Sequence, residues 1–209
     1  MLRIVLRLCS LVTVAFAATF VMAQAEFSAE IVNLEKQNTQ PSAKIYFTKD
    51  KMRVEPMNNS GRNGGAVIVN LATQTSYVLM TQQHMYVEMP AQNQTQRLGY
   101  SFFNADDVDN ACTYWQKSPH NQGGSCHKIG SDSVNGRSAV KYETADSSGD
   151  TGHFWLDPKL RFPVKWDSKN SSGELRNIQE GSQPASLFEI PAGYTKMQIP
   201  GGMMQMPQH

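Results

Sequence analysis

Apolar and polar residues alternate with a period of two over most of this chain. The pattern is clearest in residues 152–167, where two alternating runs flank Asp157-Pro158. Proline presets the backbone of a turn, and an aspartate side chain can bond the backbone that follows it. The stretch therefore predicts a β-hairpin. Because Pro163 has no N–H to donate, its strand is expected to lie at a sheet edge or beside a β-bulge.

Runs with the same period predict about ten short strands separated by polar turns. Residues 66–71 form a more continuous apolar run, which predicts a strand covered on both faces. Residues 76–80 and 84–89 predict a hairpin, and Asn135-Gly136 is typical of tight hairpin turns. Residues 104–115 are the single good helix candidate, with acidic residues at their start. The chain is thus predicted to be mainly β, with an antiparallel sheet that curls to bury one face.

The beginning of the chain differs from this alternating middle. Arg3 and Arg7 accompany an apolar run over residues 8–22, and Ala23-Gln24-Ala25 is a small-x-small cleavage site. Residues 1–25 are therefore predicted to be a secretion signal, which places the protein in the periplasm or outside the cell. An uncleaved anchor is the alternative, but the apolar run is short for a membrane span of about 20 residues.

The remaining length suits one ordinary hydrophobic core, so residues 26–197 are assigned to one domain. Residues 198–209, rich in Met, Gly and Pro, are predicted to be a disordered tail. The formal net charge is +1 and becomes −1 once Arg3 and Arg7 leave with the signal. A near-neutral chain without a basic stripe is not expected to bind nucleic acid.

Cys112 and Cys126 are the two cysteines that remain after signal cleavage. In an oxidising compartment they are expected to form a disulfide, which closes a loop of about 15 residues and contributes about 3 kcal/mol in the chain-entropy model. The alternative is a metal site that adds His120 and His127, but the spacing lacks the paired C-x2-C clips of structural zinc sites. No metal or other cofactor is therefore expected.

The sequence lacks the motifs of the common enzyme classes. Asp150-Thr151-Gly152 matches the tripeptide of aspartic proteases but occurs once, whereas that chemistry needs two carboxylates sharing a proton. No G-x-S-x-G, H-E-x-x-H or glycine-rich phosphate loop is present. His84 and His153 stand in predicted strands without a nucleophile beside them in sequence. The chain is predicted not to be an enzyme.

Three segments resemble the bacterial outer-membrane lipoprotein carriers and their relatives. Residues 155–165, Trp-Leu-Asp-Pro-x-Leu-x-Phe-Pro-Val-Lys, are similar to a hairpin motif of that superfamily. Residues 187–194 are similar to the terminal L-F-x-I-P-x-G-Y of an uncharacterised branch, and residues 134–137 to the strand before the hairpin. The resemblance implies a strongly bent antiparallel sheet, an incomplete barrel with one or few short helices at its mouth. No residue plainly matches the latch arginine of the carriers; Arg53 and Arg97 are the candidates.

The resemblance also implies that the concave side of the sheet holds acyl chains or other apolar groups. The expected partner is therefore a lipid or another apolar small molecule, bound by a monomer that is peripheral rather than integral to the membrane. Candidate ligand-binding residues at inward positions are Phe47, Val54, Val87, Phe154, Val164 and Trp166. Apolar alternation does not distinguish a ligand-lined wall from a packed core, so both interpretations stay open.

Two other functions stay open as well. With a packed interior, the domain would act as an envelope interaction module that binds another protein through its sheet edge or loops. The end of the chain offers soft ligands that suit Cu(I), although this segment lacks a repeated M-x-x-M frame. These candidate ligands are Met197, Met203, Met204, Met206 and His209.

Overall fold

The computed structural model describes residues 25–35, 40–57, 65–91, 108–117, 121–169 and 171–198. The predicted secretion signal up to residue 24, the start of the predicted helix at 104–107, Arg97, His120 and the tail from 199 onward lie outside the described residues.

Twelve strands in the described part of the chain form one sheet that does not close into a barrel. They are β1 (Phe27–Asn33), β2 (Pro41–Phe47), β3 (Lys51–Pro56), β4 (Ala66–Asn70), β5 (Thr75–Met80), β6 (Met85–Pro90), β7 (Ser125–Val134), β8 (Arg137–Ala145), β9 (Thr151–Asp157), β10 (Phe162–Ser168), β11 (Ser171–Glu180) and β12 (Thr195–Lys196). Their order across the sheet is β12-β6-β5-β4-β3-β2-β1-β11-β10-β9-β8-β7. Neighbours run antiparallel except β12, which is parallel to β6. The predicted mainly-β antiparallel fold is confirmed.

The predicted hairpin turns form as local chemistry dictates. Asn135 and Gly136 have φ angles of 49° and 78°, as a tight two-residue hairpin requires. In the next hairpin, the Asp157 carboxylate accepts hydrogen bonds from the backbone N–H groups of Lys159 and Leu160, at 2.8 and 3.0 Å. The β-bulge expected at Pro163 is also present, within a strand that lies inside the sheet rather than at its edge.

The sheet curls strongly around one face. We call the face that carries Ile45 and Phe47 the inner face, and the face that carries Tyr46 and Arg53 the outer face. The ring centroids of Phe47 on β2 and Phe162 on β10 lie 5.4 Å apart, although β1 and β11 separate those strands. In a flat sheet they would be about 14 Å apart, because neighbouring strands are spaced by about 4.8 Å. The bent sheet predicted from the resemblance is therefore confirmed.

A phenylalanine triad fills one end of the inner face. Phe27 lies 5.5 Å from both Phe47 and Phe162, measured between ring centroids. All three rings are buried, as are Leu160 and Val69 beside them. We call this end of the sheet, which carries the β2–β3, β4–β5, β7–β8 and β9–β10 turns, the lower end, and the opposite end the upper end.

A short helix covers the inner face near the β7 edge of the sheet. Helix α1 (Ala111–Lys117) continues a 3₁₀ turn (Val108–Asn110), so a helix is found in the predicted region. A disulfide joins Cys112 of α1 to Cys126 of β7, as the cysteine count predicted. Helix α1 packs over an apolar cluster that contains Trp115, Tyr142, Phe154 and Leu156.

The last part of the chain packs on the outer face. Residues 185–197, which we call the C-terminal strap, begin with a 3₁₀ turn (Ala185–Phe188) and end in β12. Arg53 donates from Nη1 to the Leu187 carbonyl at 2.8 Å. The apolar contacts of the strap join Leu187, Phe188, Ile190 and Tyr194 to Tyr46, Ile68, Tyr77, Leu79 and Tyr86. β4 is therefore covered on both faces, as its continuous apolar run predicted, and β12 shields the edge of β6.

Charged side chains tie three strands together at the lower end. Arg137 donates to Asp157 at 2.6 Å and to Glu180 at 2.9 Å, and Lys159 also pairs with Glu180. β8, β9 and β11 are thereby linked across the β9–β10 turn, where backbone pairing ends.

Acidification is expected to weaken this linkage through Glu180. Hydrogen bonds from Lys159 first, and from Arg137 second, hold the pKa of Glu180 below its ordinary value of 4.5. A carboxylate with a lowered folded-state pKa contributes stability that is complete above the unfolded-state pKa and is lost as the pH falls through the folded-state pKa. Urea unfolding measured from neutral pH to about pH 3 should therefore show a steeper loss of stability in the wild type than in Glu180→Gln. Equal slopes would contradict this assignment.

Candidate apolar binding site

The six predicted ligand-binding residues all lie on the inner face, but at different depths. The central core cluster contains Phe47, Val54 and Val164, which are buried. Phe154 lies in the cluster beneath α1, and half-buried Trp166 packs against both clusters. Val87, 8% exposed, lies on β6 at the far side of the sheet and belongs to neither cluster. The structure thus brings four of the six into contact with the central cluster and places two at the flanks.

A row of aliphatic side chains crosses the inner face from β1 to β6. Each member stands opposite the next in the strand register: Ala29, Ile45, Val54, Val67, Val78 and Val87. The row spans about 24 Å, from five strand intervals of about 4.8 Å. None of these side chains can donate or accept a hydrogen bond. Val67 and Val78 are half-buried, whereas the members on β1 to β3 are buried.

An aromatic row continues the inner face on the other half of the sheet. Tyr142, Phe154, Trp166 and Gly173 stand opposite one another on β8 to β11. The rings of Tyr142 and Phe154 stack with centroids 4.8 Å apart and planes inclined by 10°. A Cβ at Gly173 would lie 2.4 Å from Cζ2 of Trp166, so only glycine leaves room for the indole at this position. Trp166 donates from Nε1 to the Ser171 hydroxyl at 3.1 Å.

Methionines surround the β6 side of the aliphatic row. Met80 stands opposite Met85, and Met89 opposite Ser76, on the inner face of β5 and β6. Half-buried Met197 directly follows β12 and donates its backbone N–H to the Tyr86 carbonyl of β6 at 2.8 Å. Thioether side chains are flexible and polarisable, and they adapt to apolar groups of varied shape.

The outer face of the β8–β10 region has a different character. Trp155 lies between Lys141 and Lys165, whose ammonium groups are 5.0 and 4.7 Å from the indole centroid, and it donates to Asp132 at 2.7 Å. This hydrogen bond first, with one from the Ser133 backbone second, lowers the pKa of the Asp132 carboxyl. Charged groups therefore gather outside, while the two rows on the inner face contain none.

Two features are absent from the described residues. No group of three or more His, Cys, Asp or Glu side chains within them is placed to hold a metal ion. No helix in this part of the chain is long and apolar enough to cross a membrane. Arg53, a candidate for the latch arginine, faces outward and bonds Glu55 at 2.7 Å as well as the strap. What the inner face can do chemically is to bury apolar groups.

Sequence reasoning missed several residues of this surface. Val67, Val78, Met80, Met85 and Met89 were not among the predicted ligand-binding residues, although Val67 and Val78 alternate with polar or outward positions within their strands. The contribution of Met197 depends on β12 pairing with β6, for which the sequence carries no local signal.

No family model matches the chain, and no curated protein sequence matches it. Solved structures do. An uncharacterized conserved protein from Thermus thermophilus is similar over 84% of this chain and 91% of its own, with 10% identity and a TM-score of 0.52. MucB is similar over 82% of this chain at 14% identity and a TM-score of 0.48, and the match spans 59% of MucB. A LolA superfamily protein from Nitrosomonas europaea is similar over 81% of this chain and 91% of its own, with 9% identity and a TM-score of 0.32. At 10% identity, the likeness to the Thermus thermophilus protein is one of fold alone.

Proposed function

We propose that this chain is an exported, non-catalytic binding protein whose inner face holds the acyl chain of a lipid or another long apolar group. The observation that carries the proposal is the aliphatic row, which crosses six strands without a polar side chain and is half-buried at Val67 and Val78. The proposed mature domain comprises residues 26–197, preceded by a cleaved signal, and acts in the periplasm. Its proposed lining includes Phe47, Val54, Val87, Phe154, Val164 and Trp166.

The energetics of such a site are favourable. Each buried methylene contributes about 0.8 kcal/mol, so about twelve of them contribute about 10 kcal/mol. Micromolar binding needs about 8 kcal/mol, which leaves some margin for the cost of ordering the chain. The half-buried valines and the adaptable methionines are the positions where an apolar chain would gain most contact.

Native mass spectrometry of protein purified without detergent tests the proposal directly. A co-purifying lipid, or saturable binding of a fluorescent long-chain fatty acid to delipidated protein, is the expected result. Absence of both would reject the lipid-binding function. That result would favour the alternative, an envelope interaction module with a packed interior. This alternative is supported by the burial of Phe47, Val54 and Val164 in the central core cluster.

Replacing Val78 by aspartate is expected to weaken fatty-acid binding at least about tenfold, because a carboxylate within the row must be desolvated against the chain. Since Val78 is half-buried, the sheet should still form. Fluorescence titration of the delipidated variant measures the loss. The matched control is Ile129→Asp, the same kind of change at a residue on β7 that is 56% exposed. Equal affinity in Val78→Asp, Ile129→Asp and wild type would contradict the proposed location.

A further inference from the structure

The two ends of the inner face differ in how tightly they are filled. At the lower end, the ring centroids of Phe27, Phe47 and Phe162 lie within 5.5 Å of one another. Leu160 and Val69, in the same region, have no exposed surface. The side chains of this group offer no hydrogen bond to a polar group, so a polar group placed against them would lose its water without compensation.

The upper end is less tightly covered. Trp166, Met80 and Met85 are half-buried there, as is Val67 in the aliphatic row. On β10, Trp166 follows Phe162 by four residues, which separates the two side chains by about 13 Å along the strand. The inner face therefore changes from a filled to a partly accessible surface between these two positions.

Polar groups border Trp166 at the upper end. Its indole N–H donates to the Ser171 hydroxyl, and the Ser168 hydroxyl donates to the Ser171 carbonyl at 3.0 Å. Lys169, the residue after Ser168, forms an ion pair at 2.8 Å with Asp150, which immediately precedes β9. Ser168, Lys169 and Ser171 are exposed, so this turn can hydrogen-bond a polar group that stays in contact with water.

We propose that the ligand is an amphiphile that binds with the apolar end of its chain directed towards the phenylalanine triad and its polar end beside Trp166, Ser168 and Ser171. This inference rests on the proposed function and adds a direction to it. The reverse orientation would bury the polar end against three aromatic rings that offer it no hydrogen bond, at a cost in affinity.

Quenching by spin-labelled stearic acids tests the direction. The nitroxide is placed either near the carboxyl group or near the methyl end of the chain. The reporter is Trp166 alone, in a variant with Trp115→Phe and Trp155→Phe, and stearic acid without a nitroxide is the control. The label near the carboxyl group should quench Trp166 at least about twofold more than the label near the methyl end, because the chain carries the two labels to ends of the face about 13 Å apart.

The outcomes separate the two proposals. Equal quenching, or stronger quenching by the label near the methyl end, would overturn the proposed direction while leaving lipid binding intact. If neither acid binds, the proposed function fails and the direction fails with it. Should the single-tryptophan variant not fold, the wild-type protein can be photocrosslinked with fatty acids that carry a diazirine at either end. Labelling of residues 163–176 by the carboxyl-end diazirine and of the lower end by the methyl-end diazirine supports the direction, and the converse map overturns it.

Discussion

Phe162→Ala is expected to lower the free energy of unfolding by about 3–5 kcal/mol, because it removes a large buried ring and leaves a cavity between strands that are not neighbours. Phe162 contacts Phe27 and Phe47 at centroid distances of 5.5 and 5.4 Å, so its loss affects β1, β2 and β10 together. Urea unfolding followed by circular dichroism measures the change. A loss below about 1 kcal/mol would show that the triad does not hold the curled sheet together.

Two further variants sharpen this measurement. Ile129→Ala truncates a residue that is 56% exposed and should change stability by no more than about 0.5 kcal/mol. Phe47→Ala combined with Phe162→Ala should be less destabilising than the sum of the single changes, because the two rings contact each other and share one cavity. Strict additivity would mean that the two rings stabilise the sheet independently.

Asp157→Ala is expected to cost about 3 kcal/mol or more, because one buried carboxylate serves three donors. Its side chain is 3% exposed and accepts from Arg137 at 2.6 Å, from the Lys159 backbone at 2.8 Å and from the Leu160 backbone at 3.0 Å. Removal leaves the backbone N–H of buried Leu160 without this acceptor and Arg137 without its best-buried partner. Thermal and urea unfolding of the purified variant measure the effect.

Two further variants separate the contribution of the backbone hydrogen bonds that Asp157 accepts from the contribution of its negative charge. Asp157→Asn keeps an oxygen for the two backbone donors and loses the negative charge, so it should be less destabilising than Asp157→Ala. Asp167→Ala, at an exposed aspartate on the neighbouring strand, should be nearly neutral. If Asp157→Ala proved as mild as Asp167→Ala, the contact network at the lower end would have no measurable role in stability.

Local features of the fold could be predicted because their causes are local. The Asn135-Gly136 turn depends on two adjacent residues that accept positive φ, and the turn after Asp157 depends on a side chain that bonds its own backbone. Strands β9 and β10 follow from alternation over a few residues on either side. The disulfide followed from the number of cysteines and the expected compartment.

Long-range pairing was not accessible in this way, because alternation fixes the face of a residue and not its partner strand. The pairing of β1 with β11 joins residues that are far apart in the sequence, and it places β11 inside the sheet. A usable signal for the strap was present in Tyr46, Tyr77 and Tyr86. These outward-facing aromatic residues are typical of a covered surface rather than a solvated one.

The sequence predicted which face of the sheet the candidate residues occupy, but not how deeply each of them is buried. Phe47 and Val87 share the same strand period, yet Phe47 belongs to a packed triad and Val87 borders a methionine-rich flank. Which of them has accessible surface depends on how far the sheet curls, a property set by contacts between distant strands. For this reason ligand contact by the six predicted residues stays a prediction, which the binding and quenching experiments address.

The C-terminal strap also determines when, during synthesis, the β6 edge and the outer face become protected from pairing with other chains. A nascent chain exposes the hydrogen-bonding edge of β6 and the tyrosine-rich outer surface for as long as residues 185–197 are still inside the ribosome. Strand β11, which pairs with β1, is likewise among the last strands to leave the ribosome. The sheet is therefore protected only once the strap has been synthesised, and a truncation a few residues before the strap would leave the β6 edge permanently exposed to pairing with other chains.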